Sequence, residues 1–455
     1  MKNKSILVGL LLAVSLTMAT RACGPLTAAE LKPFAERAAS PNPRDSAIAI
    51  TFLRSQGPVG LQALLDANAT LLTQHNSGTV RPSSLAERAA WQRLQAALDA
   101  VGAQRDCQAS RLYWYTNFDD AVTAAQAAHK PILSLRLLGN LNEEYSCANS
   151  RFFRTTLYAN AEVSQYLRTH FILHWQSVRP VPRITIDFGN GRKIERTITG
   201  NSIHYILDSD GRAIDALPGL YGPKAFLKGL ADAEQAALKY AALPSSAREE
   251  YLRNYHAALY AATLQSWNHD LAAIGQSAIS SVNSLLQLNP QPPIAIAPGQ
   301  LTASKSAAEI PMLKSFQTAD DATWTQIARL HSADAELDPA SVTLISAKYP
   351  TAKQAARMAY SKSAVENPLN SALRNLRSSI AEDTVRNEYQ LHSQIHEWFM
   401  KGAVPNDLGR FNSLVYAKLF LTPDSDPWLG LVPPNTITAL DNNGLVQASS
   451  DEHLP

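Results

Sequence analysis

The hydrophobic period of this chain changes twice, and that change limits its architecture more than any other feature. From about Leu26 to Ala103, apolar residues recur at helical spacing in Ala28–Ala38, Asp45–Ser55, Gly57–Ala69 and Leu85–Val101. Ser40-Pro41-Asn42-Pro43 and Gly57-Pro58 break these runs. From Arg111 the pattern becomes that of strands. Leu112-Tyr113-Trp114-Tyr115 reads as a short strand, Asn117 caps a helix over Phe118–Ala128, and Lys130-Pro131 ends it. The apolar run Ile132–Leu138 then suits a strand covered on both faces. A loop over Gly139–Tyr145 leads to a helix starting near Cys147, a second helix over Asn160–Thr169, and a strand over Phe171–Trp175. Two hairpins follow: Ile184–Asp187 and Lys193–Thr199 around Gly189-Asn190-Gly191, then His204–Leu207 and Arg212–Ala216 around Asp208-Ser209-Asp210-Gly211. Pro223 opens a helix to about Ala242, and beyond Pro244 the helical period returns.

This order predicts an α/β layer arrangement between two helical regions. At 455 residues the chain exceeds one typical core. It divides into an export signal (1–22), a helical N-terminal region (23–108), an α/β domain (109–243), a helical extension (244–288), a Pro-rich linker (289–303) and a helical C-terminal region (304–455). The last contains helical stretches over Thr323–Leu330, Thr351–Tyr360, Asp383–Gly402 and Leu408–Phe420.

Lys2 and Lys4 precede an apolar run from Ile6 to Met18, too short to span a bilayer and right for a signal-peptide core. Small residues permit cleavage after Ala19 or Ala22, which makes the protein periplasmic or secreted. Cys23 offers lipid anchoring as an alternative, against which Thr20 and Arg21 stand. Lysine and arginine number 41 against 39 acidic residues, so no strong field recruits nucleic acid or an anionic membrane. No Walker loop, Rossmann fingerprint or zinc-finger spacing occurs, and no cofactor is expected. The sequence leaves the oligomeric state open.

Four features between Trp114 and Leu230 resemble the thioredoxin-like superfamily, especially its periplasmic and secreted members. A Trp and an Asp/Ala-rich helix precede Lys130-Pro131-Ile132-Leu133. Cys147-Ala148-Asn149-Ser150 follows at a strand-to-helix junction. Glu162-Val163, Tyr166-Leu167 and Phe171-Ile172 resemble the family's next helix and strand, and Tyr205–Arg212 its Asp-Gly hairpin. The resemblance covers about residues 110–240 and implies a thioredoxin-like central domain, here with a β-hairpin inserted at about Arg179–Thr199, flanked by mostly α-helical regions. Two further departures concern chemistry. Ser150 stands where the family's resolving cysteine is expected, giving a CxxS motif, and Ser202 stands where its cis-proline is expected.

Cys147 and Ser150 are therefore the candidate catalytic residues. A thiol at a helix N-terminus meets unpaired N–H groups that stabilise its thiolate, Arg151 and Arg154 lie close in sequence, and Ser150 can donate to the sulfur. Such a thiolate can form a mixed disulfide with a protein client but cannot resolve it within the motif. The same residues also fit a buried, inert cysteine in a non-enzymatic scaffold. Cys107 is either a distant resolving partner or an ordinary helix-end residue. His204 is either a base for Cys147 or an alternating strand residue facing solvent. Arg136, unusual in a buried strand, marks a domain edge or pairs with Glu143 or Glu144. Glu388, His392 and His396 recur at i, i+4 and i+8 on one helix face; without HEXXH or a further ligand set, hydrogen-bonded histidines are preferred to a metal site.

Overall fold

The computed structural model describes residues 26–76, 84–197, 200–276, 321–349, 368–429 and 442. The segment read as an export signal, Cys23, the Pro-rich linker and the stretch Thr351–Tyr360 lie outside the described residues.

Among the described residues, six helices form the N-terminal region: α1 (Ala28–Ala38), α2 (Pro43–Ser55), α3 (Pro58–Ala67), α4 (Ala69–Asn76), α5 (Leu85–Gly102) and the single turn α6 (Cys107–Ser110). Capping boxes open α1 and α5, where Thr27 pairs with Glu30 and Ser84 with Glu87. These helices enclose their own apolar core, from Leu31 through Leu64 and Leu98 to Cys107. Arg54 ties that core to the next layer, its guanidinium donating to the carbonyls of Val101 at 2.8 Å and Trp114 at 2.6 Å.

The α/β layer begins with α7 (Phe118–Ala128), capped by Asn117, and β1 (Ile132–Leu138), all seven residues of which are buried. Then come α8 (Ala148–Phe152), a π-helical turn over Phe153–Leu157, α9 (Ala161–His170) and β2 (Ile172–Arg179). Among the described residues, β3 (Arg183–Asp187) and β4 (Lys193–Thr197) pair only with each other, as a separate two-stranded sheet. β5 (Ser202–Leu207) and β6 (Ala213–Pro218) complete the main sheet, whose order is β2-β1-β5-β6. β1 runs parallel to β2 and antiparallel to β5, and β5 runs antiparallel to β6. At the β5–β6 turn, Asp208 Oδ1 accepts from the amides of Asp210 and Arg212, and Gly211 takes φ +88°, a conformation that glycine adopts freely.

Helices cover both sheet faces. On one, Phe118 packs on His174 and Tyr205 on Phe411; on the other, His204 contacts Phe153 and Phe226. This burial on both sides explains the unbroken apolar run of β1. The Leu112–Tyr115 stretch forms only an isolated bridge between Tyr115 and His174, not a full strand. The amide of Trp114 is instead spent on the Gly102 carbonyl at 3.0 Å.

Continuing the chain are α10 (Pro223–Ala242), α11 (Ser245–Ala273), α12 (Asp321–Leu330), a 3₁₀ turn over Ser332–Ala335, and α13 (Pro339–Lys348). α14 (Pro368–Arg386) passes through a π-helical stretch, Asn387–His392, into α15 (Ser393–Met400), and α16 (Leu408–Lys418) follows. The helix read from sequence as continuous over Asp383–Gly402 thus carries a wide turn at its centre. Apart from α13, these helices share one apolar core with the sheet. Polar links secure the seam: Asn387 Nδ2 donates to the Leu220 carbonyl and the Gly222 amide to Thr384 Oγ1, both at 2.7 Å. A Cβ on Gly222 would lie 2.1 Å from the Asp334 carbonyl oxygen, so only glycine permits this approach. No helix among the described residues is long and apolar enough to cross a membrane.

Candidate functional site

Two groupings of chemically capable side chains lie on the α/β layer. The first surrounds Cys147, which follows the loop after β1 and is the N-cap of α8. Its amide donates to the Leu138 carbonyl at 3.1 Å, fixing the junction to the end of the strand. The Ser150 amide points at Sγ from 3.5 Å, Sγ lies 3.4 Å from Ser150 Oγ, and that hydroxyl donates to the Cys147 carbonyl at 2.9 Å. The thiol therefore sits where sequence reasoning put it, at a helix start. It is also 0% exposed, and Ala148, Asn149 and Ser150 are buried with it.

The expected helpers of the thiol are mostly engaged elsewhere. Arg154 is buried and donates to the carbonyl of Glu143 at 2.7 Å and to those of Leu141 and Glu144 at 3.4 Å, so it holds the loop. Arg151 is partly buried and within electrostatic reach of Cys147. His204 faces the interior, not solvent: it is fully buried, its Nε2 lies 2.6 Å from the Tyr158 hydroxyl, and its Nδ1 has no protein partner. Burial pushes its pKa down to about 3, which leaves the ring neutral. Ser202 is buried in β5 opposite Leu137. Cys107 is a free buried thiol in the N-terminal core, with Sγ 3.6 Å from the Leu112 carbonyl and its pKa raised by burial; Cys147 is likewise free. Beside Cys147, Ser146 Oγ and both amide atoms of Asn149 are buried without a protein partner.

Arg136 on β1 pairs with neither Glu143 nor Glu144 but with Gln176, its register neighbour on β2. Asn140 takes Glu143 and Arg105 takes Glu144.

The second grouping joins β6 to the C-terminal helices. Asp215, fully enclosed on β6, accepts from its neighbour's amide (Ala216) at 2.7 Å, from His392 Nε2 at 3.0 Å and from the Tyr255 hydroxyl at 3.0 Å. His392 donates its other ring nitrogen to Glu388 at 3.1 Å. With a carboxylate on each nitrogen the ring is an imidazolium: burial opposes its charge, but Asp215 and Glu388 outweigh burial and raise its pKa to about 10. The same contact holds Asp215 well below the usual carboxylate range against the opposing effect of burial. Beside this chain, His256 Nδ1 faces His396 Nδ1 at 2.9 Å, while His256 Nε2 lies 2.9 Å from the Ile214 carbonyl. Burial keeps both rings neutral, His256 at about 4 and His396 well below its usual value, the latter also through the His392 charge.

Of the three helix-face residues singled out by spacing, His392 and Glu388 do bond each other, and the His396 ring lies 4.0 Å from that of His392 with the planes tilted by 44°. Asp215 and His256 were missed. Asp215 had a readable signal, a lone carboxylate inside the apolar strand Ala213-Ile214-Asp215-Ala216-Leu217; His256 had none. No family model, curated protein or solved structure matches this chain.

Proposed function

We propose that this chain is an exported, thioredoxin-like scaffold protein, in which the α/β domain holds two helical regions together and Cys147 serves as a helix cap. The fold reading is supported by the sheet order β2-β1-β5-β6 with its single parallel pair, and by a cysteine capping the helix after β1. The observation that carries the functional reading is the complete burial of the Cys147–Ser150 motif. Disulfide exchange needs a client sulfur to approach the thiolate directly, and a thiol without exposed surface offers no approach.

Alkylation of the native protein tests this. Cys147 is expected to react only as fast as the protein opens, and the rate should jump on denaturation. Rapid native alkylation with a thiol pKa below the unperturbed value of about 8.5 overturns the scaffold reading. One observation favours a second reading, assisted monothiol exchange with a protein client: the unpartnered Asn149 amide and Ser146 hydroxyl beside the sulfur. An unpaired buried polar group costs about 1–3 kcal/mol, an expense that a bound peptide backbone would relieve. Under that reading the wild type reduces a peptide disulfide faster than Cys147→Ser; equal rates remove it.

A further inference from the structure

We propose that Asp215, His256 and His396 form a binding site for one first-row divalent metal ion of the Zn(II) type, tying β6 to α11 and α15. All three residues are buried, and one potential ligand atom from each lies within 4.8 Å of the other two. They come from segments far apart in sequence, so only the folded chain assembles them. Two imidazoles and one carboxylate suit zinc, iron or cobalt, whereas magnesium and calcium favour all-oxygen sets.

The surroundings orient His256 and Asp215 as a metal requires. His256 gives Nε2–H to the Ile214 carbonyl, which leaves the Nδ1 lone pair directed inward at His396. A ligating histidine characteristically anchors its other nitrogen in this way. Asp215 is held by three donors, yet Oδ2 accepts only from Tyr255 and retains a lone pair. The 2.9 Å between the two Nδ1 atoms is shorter than the separation of about 3.3 Å that bonds of about 2.0–2.1 Å at tetrahedral angles produce. Metal binding therefore needs ring movements of a few tenths of an ångström, together with loss from His396 Nδ1 of the proton it donates across that contact. A second carboxylate, Glu388, lies beyond His392 from Asp215. His392 acts as the positioning partner of Asp215, outside the ligand set.

The test uses the full chain, stripped with a chelator and titrated with Zn(II), and with Co(II) as the absorbing probe. One equivalent of each is expected to bind, with thermal stability rising on Zn(II) addition. Asp215→Asn, His256→Gln and His396→Gln should each weaken Co(II) binding by more than about 100-fold, the upper range for loss of an outer partner alone. Cys107→Ser and Cys147→Ser should bind as wild type does. Because buried variants can misfold, X-ray absorption of the Zn(II)-loaded wild type gives a second readout, expected to contain nitrogen and oxygen ligands with imidazole scattering. Binding of less than one equivalent overturns the proposal, as does a sulfur shell at about 2.3 Å or full binding by a folded ligand variant. None of these results bears on the exposure of Cys147, so the scaffold reading stands or falls separately.

Discussion

Acid should unfold this protein well above the pH at which carboxylates titrate, because four histidines are buried neutral. His174 and His204 have pKa values lowered to about 3, His256 to about 4, and His396 well below its ordinary value, with burial the leading cause in each. In the unfolded chain each titrates near 6.5. A depressed folded value means stability that is present above about pH 6.5 and is lost as pH falls towards the folded value. Each such group contributes about 1.4 kcal/mol per pH unit once its unfolded form is protonated. Asp99 works in the opposite direction. Burial raises it to about 7, so its folded form gains a proton that the unfolded form still lacks down to about pH 4. Four protons taken up by the unfolded state against one by the native state leave a net loss of about 4–5 kcal/mol between about pH 7 and pH 5. That is comparable to the whole stability of many domains, about 5–15 kcal/mol. Urea unfolding followed by circular dichroism across this range should show the midpoint falling steeply. His204→Phe should flatten the slope by about one proton, whatever it does to absolute stability. A midpoint that stays level or rises between these pH values would refute the reasoning.

Three substitutions probe other parts of the same argument. Gly222→Ala forces a Cβ against the Asp334 backbone, which no rotamer relieves, and should cost about 1–3 kcal/mol in urea unfolding; a change below about 0.5 kcal/mol would mean the seam is not tightly packed. Arg136→Met removes a buried guanidinium whose polar partner is Gln176, and its stability should match or exceed that of the wild type by up to about 2 kcal/mol; a loss above about 1 kcal/mol would point to a role for the charge. His392→Ala leaves Asp215 buried without its imidazolium and should cost about 3–5 kcal/mol near neutral pH, measured the same way. With the folded pKa of His392 raised to about 10, the wild-type contribution is complete below about pH 6.5 and fades as pH rises through 10, so the difference between variant and wild type should shrink in alkali.

Local signals in the sequence carried far. The apolar run Ile132–Leu138, the Gly-Asn-Gly turn, the Asp-Gly turn and the cap at Asn117 each depend on residues near one another in the chain, and each appears in the structure as an element or a turn. What alternation could not tell was which strand faces are covered. His204 looked like an outward residue because β5 was read in isolation, yet helices cover both sides of the sheet. The π-helical stretch over Asn387–His392 was illegible for a similar reason. It coincides with contacts to Leu220 and Asp215, more than 160 residues away, which no local period encodes.

The boundary read at residues 243 and 244 shows where chain order and energetics part. It leaves Asp215 on one side and His256, His392 and His396 on the other. A buried carboxylate separated from its cation costs several kcal/mol, so a segment ending at 243 would have to expose or protonate Asp215. The seam at Gly222 and Leu220 adds backbone groups whose partners, Thr384 and Asn387, also come from beyond that boundary. The C-terminal helices therefore complete the β6 edge of the sheet. The thiol lies sealed at the end of β1, while the buried Asp215–His392 pair lies where β6 meets these helices. A sheet used in this way has chemically distinctive groups at an edge strand, in a site that neither half of the chain contains alone.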